Sequence, residues 1–391
     1  MRYILKFIVS IVSRVLLFPL RVFPINNNLV VFDTYNGKSI ACNPYYIYAY
    51  LKDKYPKLDL VWVVEDKTIG EGKDVKFVVL NSLNYFYVLI TAKFYIRNTL
   101  MPAHIPFRKE QIRIDTWHGG GAYKGTMYVT NRMPFRKTTN RMIASNTTWK
   151  VASCEKFIEY AHKDQLLEEN KFLKIGMPRC DMFFNHDLVK DNSNKVRNYF
   201  GIKENTYIVL YAPTYRSKAY KPLFDLLLDF SLVEDSVRKR FHVDNVLILF
   251  RGHHSFRKLM NLDCINETNQ RFNIIDTSDF QDTQAILCAS DLLISDYSSI
   301  IWDFSFMYRP CLLFCPDMEE YISDYKLITP IEDWLFPLAK SNEELKQSIL
   351  NFDEVSYLQS VKTHHANLGS FEVGSATERI CDRIISEIKN K

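Results

Sequence analysis

The chain contains no G-x-x-x-x-G-K-[ST] and no G-x-G-x-x-G after a strand-like run. That removes the P-loop nucleotide cradle and the dinucleotide fingerprint. No D-x-D occurs either, so the acidic metal–nucleotide clamp of single-domain sugar transferases is missing. The eight cysteines form no C-x-x-C, and Cys311 and Cys315 straddle an apolar strand. This argues against zinc and disulfides and predicts reduced thiols in the core. The adjacent pairs His253-His254 and His364-His365 are poorly spaced for a helical metal site, so no metal ligands are assigned.

A length of 391 residues suits two domains of ordinary size. Hydrophobic content of 47% against 24% charged residues is a globular balance. The net charge is +5, and residues 1–24 hold Arg2, Lys6, Arg14 and Arg21 with no acid. Subtracting those four from the 50 basic residues leaves 46 against 45 acidic ones. The body is near neutral, and nucleic acid is excluded as a partner because no basic face remains.

Within residues 1–24 the longest charge-free run is Phe7–Ser13, far short of the ~20 residues of a membrane span. No small-residue cleavage site follows, so no cleaved leader is expected. On a helical wheel Lys6, Ser10, Ser13, Arg14 and Arg21 share one face. Ile4, Leu5, Ile8, Ile11, Val12, Val15 and Leu16 occupy the rest, with Leu17 an apolar exception inside the polar arc. The pattern predicts a basic amphipathic helix suited to an anionic membrane surface, against the alternative of a helix packed on the protein's own core.

From residue 28 strands and helices alternate. Strand-like runs at 29–32, 58–64, 75–79, 93–96 and 112–114 are interleaved with helical patterns at 45–54 and 85–92. The alternation predicts a doubly wound parallel sheet with ligands at the carboxyl ends of its strands. One such end carries Thr116-Trp-His118-Gly119-Gly-Gly-Ala-Tyr-Lys124. Consecutive glycines allow close approach of a ligand or a positive φ. His118 is either a general base for a hydroxyl nucleophile or a hydrogen-bonded histidine beside a tight turn. Residues 122–150 are basic and free of acids, and are read as a solvated loop or a landing place for an anionic acceptor. The polar stretch 185–194 places a boundary near 185, giving 1–24 as the surface helix and two domains, 25–185 and 186–391, which the resemblance named below casts as acceptor and donor domains.

The second half restarts the alternation. Strand ends at Thr214 and Arg216, at Arg251 and His253, at Asp276 and Ser278, and at Asp296, Ser298 and Ser299 fall in succession. In a parallel sheet they converge on one edge, where Arg216, Arg251 and His253 supply cationic donors and the two serines neutral ones. Such convergence is what a nucleoside diphosphate requires. The competing reading of Asp296 and Ser298 alone is simple helix capping.

These motifs resemble the CDP-glycerol glycerophosphotransferases of teichoic acid and capsule synthesis. The resemblance rests on Thr116-Trp-His-Gly119 with Lys124, Gly176-x-Pro-Arg-x-Asp181, Tyr211-Ala-Pro-Thr-Tyr-Arg216, Arg251-x-His253, Ser290-Asp-x-Leu-Ile-Ser-Asp-Tyr-Ser-Ser299 with Asp303 and Arg309-Pro310, and Gly374-Ser-Ala-Thr-Glu-Arg379, in the family's order across roughly residues 25–385. It implies a GT-B-like fold of two Rossmann-like domains facing a cleft. It implies transfer of glycerol or another polyol phosphate from CDP-glycerol or CDP-ribitol to a lipid-linked or capsular glycan hydroxyl, releasing CMP. His118 becomes the base, with Arg251, His253, Ser298 and Ser299 on the donor phosphates. His253⁺ and Arg216 also offset transition-state charge in place of a metal, and no cofactor is called for. Thr214, Asp296, Ser278, Gly119 and Lys124 complete the expected substrate contacts. The family's location at the inner membrane face agrees with the basic first helix. Two other readings stand beside this one: a GT-B glycosyltransferase or epimerase using a nucleotide-sugar, and an inactive scaffold of a polymer-synthesis complex.

Overall fold

The computed structural model describes residues 2–125, 134–214, 228–252, 274–325 and 327–389. Runs such as Leu29-Val-Val-Phe32 and Leu247-Ile-Leu-Phe250 are apolar without alternation, so they form strands buried on both faces. The chain divides into two compact units, one of Met1–Gly120, Gly125–Asp181 and Gly369–Lys391, the other of Gly121–Lys124 and Met182–Leu368.

The first unit carries seven strands: β1 (Asn26–Asp33), β2 (Asp59–Val64), β3 (Lys76–Val79), β4 (Ala92–Arg97), β5 (Ile112–Asp115), β6 (Trp149–Ala152) and β7 (Phe172–Lys174). Their order is β3-β2-β1-β4-β5-β6-β7, parallel throughout. The order reverses between β1 and β4, whose last residues Asp33 and Arg97 are paired in register. Such a switch point opens a crevice at the strands' carboxyl ends. The core on one face gathers Leu29, Val31, Val61, Val63, Leu89 and Tyr95.

The second unit carries β8 (Tyr207–Ala212), β9 (Val246–Phe250), β10 (Ile274–Asp276), β11 (Leu292–Ser295), β12 (Cys311–Phe314) and β13 (Leu338–Ala339). The order is β10-β9-β8-β11-β12-β13, again all parallel, with the switch between β8 and β11. This is the doubly wound pair of sheets that the alternation predicts.

Three features differ from the expectations. The C-terminal helix Ala376–Lys389 belongs to the first unit, not to the expected 186–391 domain. Asp181 accepts hydrogen bonds from Ala376 N at 2.9 Å and Thr377 N at 2.7 Å, capping this helix where backbone donors lack partners. Residues 134–146 are helical, not a solvated loop. Lys150, expected on that polar stretch, is fully buried in β6.

The segment Arg2–Leu17 is helical. Ser10 is buried, Arg14 donates to the carbonyl of Ala103 at 2.9 Å, and Leu17 packs on the first unit's core. The side bearing Ser10, Arg14 and Leu17 therefore docks on the protein, while Lys6 is exposed and Leu5, Val12, Val15 and Leu16 are 50–72% exposed. Leu17 is apolar within the polar arc because that part of the arc is docked. Among the described residues no helix is long and apolar enough to cross a membrane. The seven described cysteines are free and buried.

Candidate active site

In the first unit the loop after β5 is built on Asp115. One carboxylate oxygen accepts from the Trp117 N–H at 2.8 Å, and the other meets Lys150 Nζ at 2.5 Å. Lys150 Nζ also lies 4.3 Å from the centroid of the Trp117 ring, a cation–π contact within a dry interior. Trp117 adopts φ 54, a left-handed conformation disfavoured for a bulky side chain. The turn delivers His118 against Trp117, ring centroids 4.7 Å apart, with Tyr35 edge-on at 5.6 Å.

His118 Nδ1 lies 2.7 Å from the carbonyl oxygen of Asn98, just past β4. A carbonyl only accepts, so Nδ1 carries the proton and Nε2 keeps its lone pair. Burial lowers the His118 pKa below its ordinary 6.5. The Asn98 carbonyl opposes that shift, Arg179 adds to it, Asp115 opposes it and Lys150 adds to it. The ring is thus neutral at pH 7 with Nε2 available as a base, the state general-base chemistry needs.

Beside this loop the switch point holds a polar cluster that the sequence does not single out. Asp33 accepts from Gly37 N at 2.9 Å and from the Tyr95 hydroxyl at 2.7 Å. Arg97 donates to Asn36 Oδ1 at 2.7 Å and to Tyr95 Oη at 3.1 Å. These residues sit inside apolar strand patterns that read as core, and only the strand order brings Asp33 and Arg97 together. Asn43 and Arg179, which hold the His118 loop from outside, are likewise missed. Arg179 lies in a visible motif, but no local pattern announces its contact.

In the second unit β10, β9, β8 and β11 are neighbours, so the four polar strand ends do stand side by side. Across the switch point Asp296 accepts from Thr214 N at 2.9 Å and from its hydroxyl at 2.5 Å. Asp296 thus joins the β8 and β11 loops. Ser298 Oγ accepts from Ile300 N at 3.3 Å, and Ser299 is the first flank of the short helix Ile300–Ser305. Arg251 donates to the carbonyls of Thr277 at 2.8 Å and Phe280 at 3.0 Å, and to Thr283 Oγ1 at 2.8 Å. It braces the loop after β10. Ser278 Oγ donates to Asp276 within the same loop at 2.5 Å. Asp303 accepts from Gln284 at 3.1 Å, and Arg309 ties down the carbonyls of Cys288 and Ser290. These motif residues hold the platform together. Arg216 and His253 lie outside the described residues.

The glycine run is less uniform than expected. Gly121 alone of the three has a positive φ, +65, and a Cβ there would come 2.6 Å from the Tyr123 ring. Gly119 and Gly120 belong to the first unit while Gly121 and Lys124 belong to the second. Lys124 Nζ lies 5.4 Å from the Tyr321 ring centroid, and its backbone bridges to Leu327.

Comparison with known proteins decides the family. The model of the CDP-glycerol:poly(glycerophosphate) glycerophosphotransferases matches residues 16–386. The chain belongs to this family. A teichoic acid poly(glycerol phosphate) polymerase of Bacillus spizizenii is 27% identical, covering 98% of each chain. A teichoic acid ribitol-phosphate primase of the same organism is 25% identical, covering 93% of this chain and 92% of the relative. The chain spans about half the length of two further poly(glycerol phosphate) polymerases. The solved wall teichoic acid polymerase TagF superimposes with a TM-score of 0.82 at 23% identity, covering 100% of this chain and 98% of that one. The likeness supports the GT-B-like architecture of this glycerophosphotransferase-family chain. The nucleotide-sugar and scaffold readings are not favoured.

Proposed function

We propose that the chain transfers a polyol phosphate from CDP-glycerol or CDP-ribitol to a hydroxyl of a teichoic acid or capsular glycan, releasing CMP. The observation that carries this reading is His118, its Nδ1 proton committed to Asn98 and its Nε2 free to act. The acceptor hydroxyl gives its proton to Nε2 as its oxygen bonds to the polyol-bearing phosphorus. The bond from that phosphorus to the bridging oxygen breaks, and CMP leaves with the electron pair. The strand-end platform of the second unit, with Ser298, Ser299, Thr214 and Arg251, is proposed to receive the donor's diphosphate. His253 and Arg216 contribute positive charge there. The similarity to both glycerol- and ribitol-phosphate enzymes supports a polyol donor of either length.

The chain is further proposed to work at the cytoplasmic membrane face on a lipid-linked acceptor. The outward apolar residues of Arg2–Leu17, with Lys6 exposed on the same helix, support this.

The test is CMP release from CDP-glycerol and CDP-ribitol on anionic vesicles carrying a lipid-linked disaccharide. Wild type should release CMP from one donor. His118→Ala should be slower by ~10²–10⁴-fold, the usual contribution of a general base. Near-normal turnover in that variant would sink the role of His118. Silence of wild type with both donors would sink the donor class.

A further inference from the structure

The motif Gly176-x-Pro-Arg-x-Asp181 is not absorbed by the chemistry above, and its structural surroundings give it a task. Three consecutive backbone carbonyls of the His118 loop are held by two buried side chains from elsewhere in the first unit. Asn43 Nδ2 donates to the carbonyls of Thr116 at 3.1 Å and Trp117 at 3.0 Å. Arg179 donates from its guanidinium to the carbonyl of His118 at 2.6 Å. The two holders are themselves joined, Arg179 N–H donating to Asn43 Oδ1 at 3.1 Å. Asn43 is 0% and Arg179 4% exposed. Asn43 is fixed at the start of the helix Cys42–Lys54. Arg179 is fixed by the turn that Asp181 ties to the C-terminal helix.

We propose that Asn43 and Arg179 are positioning residues for the transfer reaction. They keep Trp117 in its left-handed conformation and thereby set where His118 Nε2 points. The inference rests on the proposed role of His118. A left-handed non-glycine residue is strained and persists only where its surroundings enforce it. With the carbonyls released, Trp117 relaxes toward negative φ and the attached imidazole swings away. A misplacement of about 1 Å costs on the order of 10²-fold in rate.

Arg179 also has an electrostatic signature. The charged groups facing His118 are Asp115 from β5, Lys150 from β6 and Arg179 from the 178–184 turn. Arg179 depresses the His118 pKa, so deleting its charge raises it. The base is then lost at a higher pH as the solution is acidified.

The experiment compares Arg179→Met and Arg179→Lys with wild type and His118→Ala, reading the pH profile of kcat and the KM for the CDP-polyol. Arg179→Met should lose about 10²-fold in kcat with donor KM little changed. Its acid limb should move to higher pH. Arg179→Lys, which keeps the cation and a donor, should return the limb to its wild-type position and recover most of kcat. If the methionine variant does not fold, Arg179→Gln keeps a buried donor without the charge and should show the same shifted limb. Near-normal kcat in Arg179→Met, with the acid limb still dependent on His118, overturns this inference alone. A limb that survives His118→Ala overturns the assignment of His118 and this inference with it.

Discussion

The buried pair of Asp115 and Lys150 makes a demanding test of how the His118 loop is supported. Both side chains are at most 1% exposed, and Nζ and Oδ2 are 2.5 Å apart. In Lys150→Met the thioether keeps most of the packing on Trp117. The ammonium disappears, and the Asp115 carboxylate is left in a dry interior with the Trp117 N–H as its remaining bond. Breaking a buried pair by removing one partner costs ~3–5 kcal/mol. For a unit of this size that is a fall on the order of 10 °C in melting temperature. The assay is urea unfolding followed by tryptophan fluorescence and calorimetry, resolving the transitions of the two units because two-state behaviour does not extend across them. The transition of the first unit should fall and that of the second should hold. The double variant Asp115→Asn with Lys150→Met buries no charge and should regain most of the loss. A cost below about 1 kcal/mol for Lys150→Met would refute the reasoning, because a loss that small belongs to solvent-exposed pairs.

Two more outcomes follow from the same geometry. In the second unit, burial pushes His364 and His365 down to about 4 and about 3 from 6.5. Their folded pKa values lie below the unfolded ones, so the native state binds fewer protons and stability is lost as pH falls from about 6.5 toward 4. His364 alone should remove roughly 3 kcal/mol over that window. His364→Gln should flatten the acid-denaturation profile, and an unchanged profile would count against this account. On anionic vesicles, Val15→Asp with Leu16→Asp should weaken sedimentation with lipid on the order of tenfold or more, because burying one such side chain is worth ~1.5–3 kcal/mol. Unaltered sedimentation would remove the first helix as the lipid contact.

The positions of most strands are legible because a strand buried on both faces leaves an unbroken apolar run, as in Val246–Phe250 and Cys311–Phe314. Trp149–Ala152 escapes the reading because Lys150 interrupts its run. That lysine becomes apolar in effect only when Asp115, far away in sequence, neutralises it. His118 is legible as a base candidate from its glycine-rich strand end. Its protonated nitrogen is not, because the deciding carbonyl belongs to Asn98 on another strand. Arg251 and Asp296 stand where expected, yet they hold neighbouring loops together. A polar residue at a strand end looks alike in sequence whether its partner is a ligand or the next loop.

By itself, the sequence determined the doubly wound architecture, the position of the His118 loop and the succession of polar strand ends. Each is written in local periodicity and turn chemistry, which act over a few residues. Tertiary structure alone decided that the last helix returns to the first unit and that the side of the first helix bearing Ser10, Arg14 and Leu17 faces the protein. It alone decided that Asn43, Arg179, Asp115 and Lys150 hold the loop in place. Those contacts join residues tens to hundreds of positions apart. They exist only once the strands have taken their order and the buried polar groups must find partners within reach.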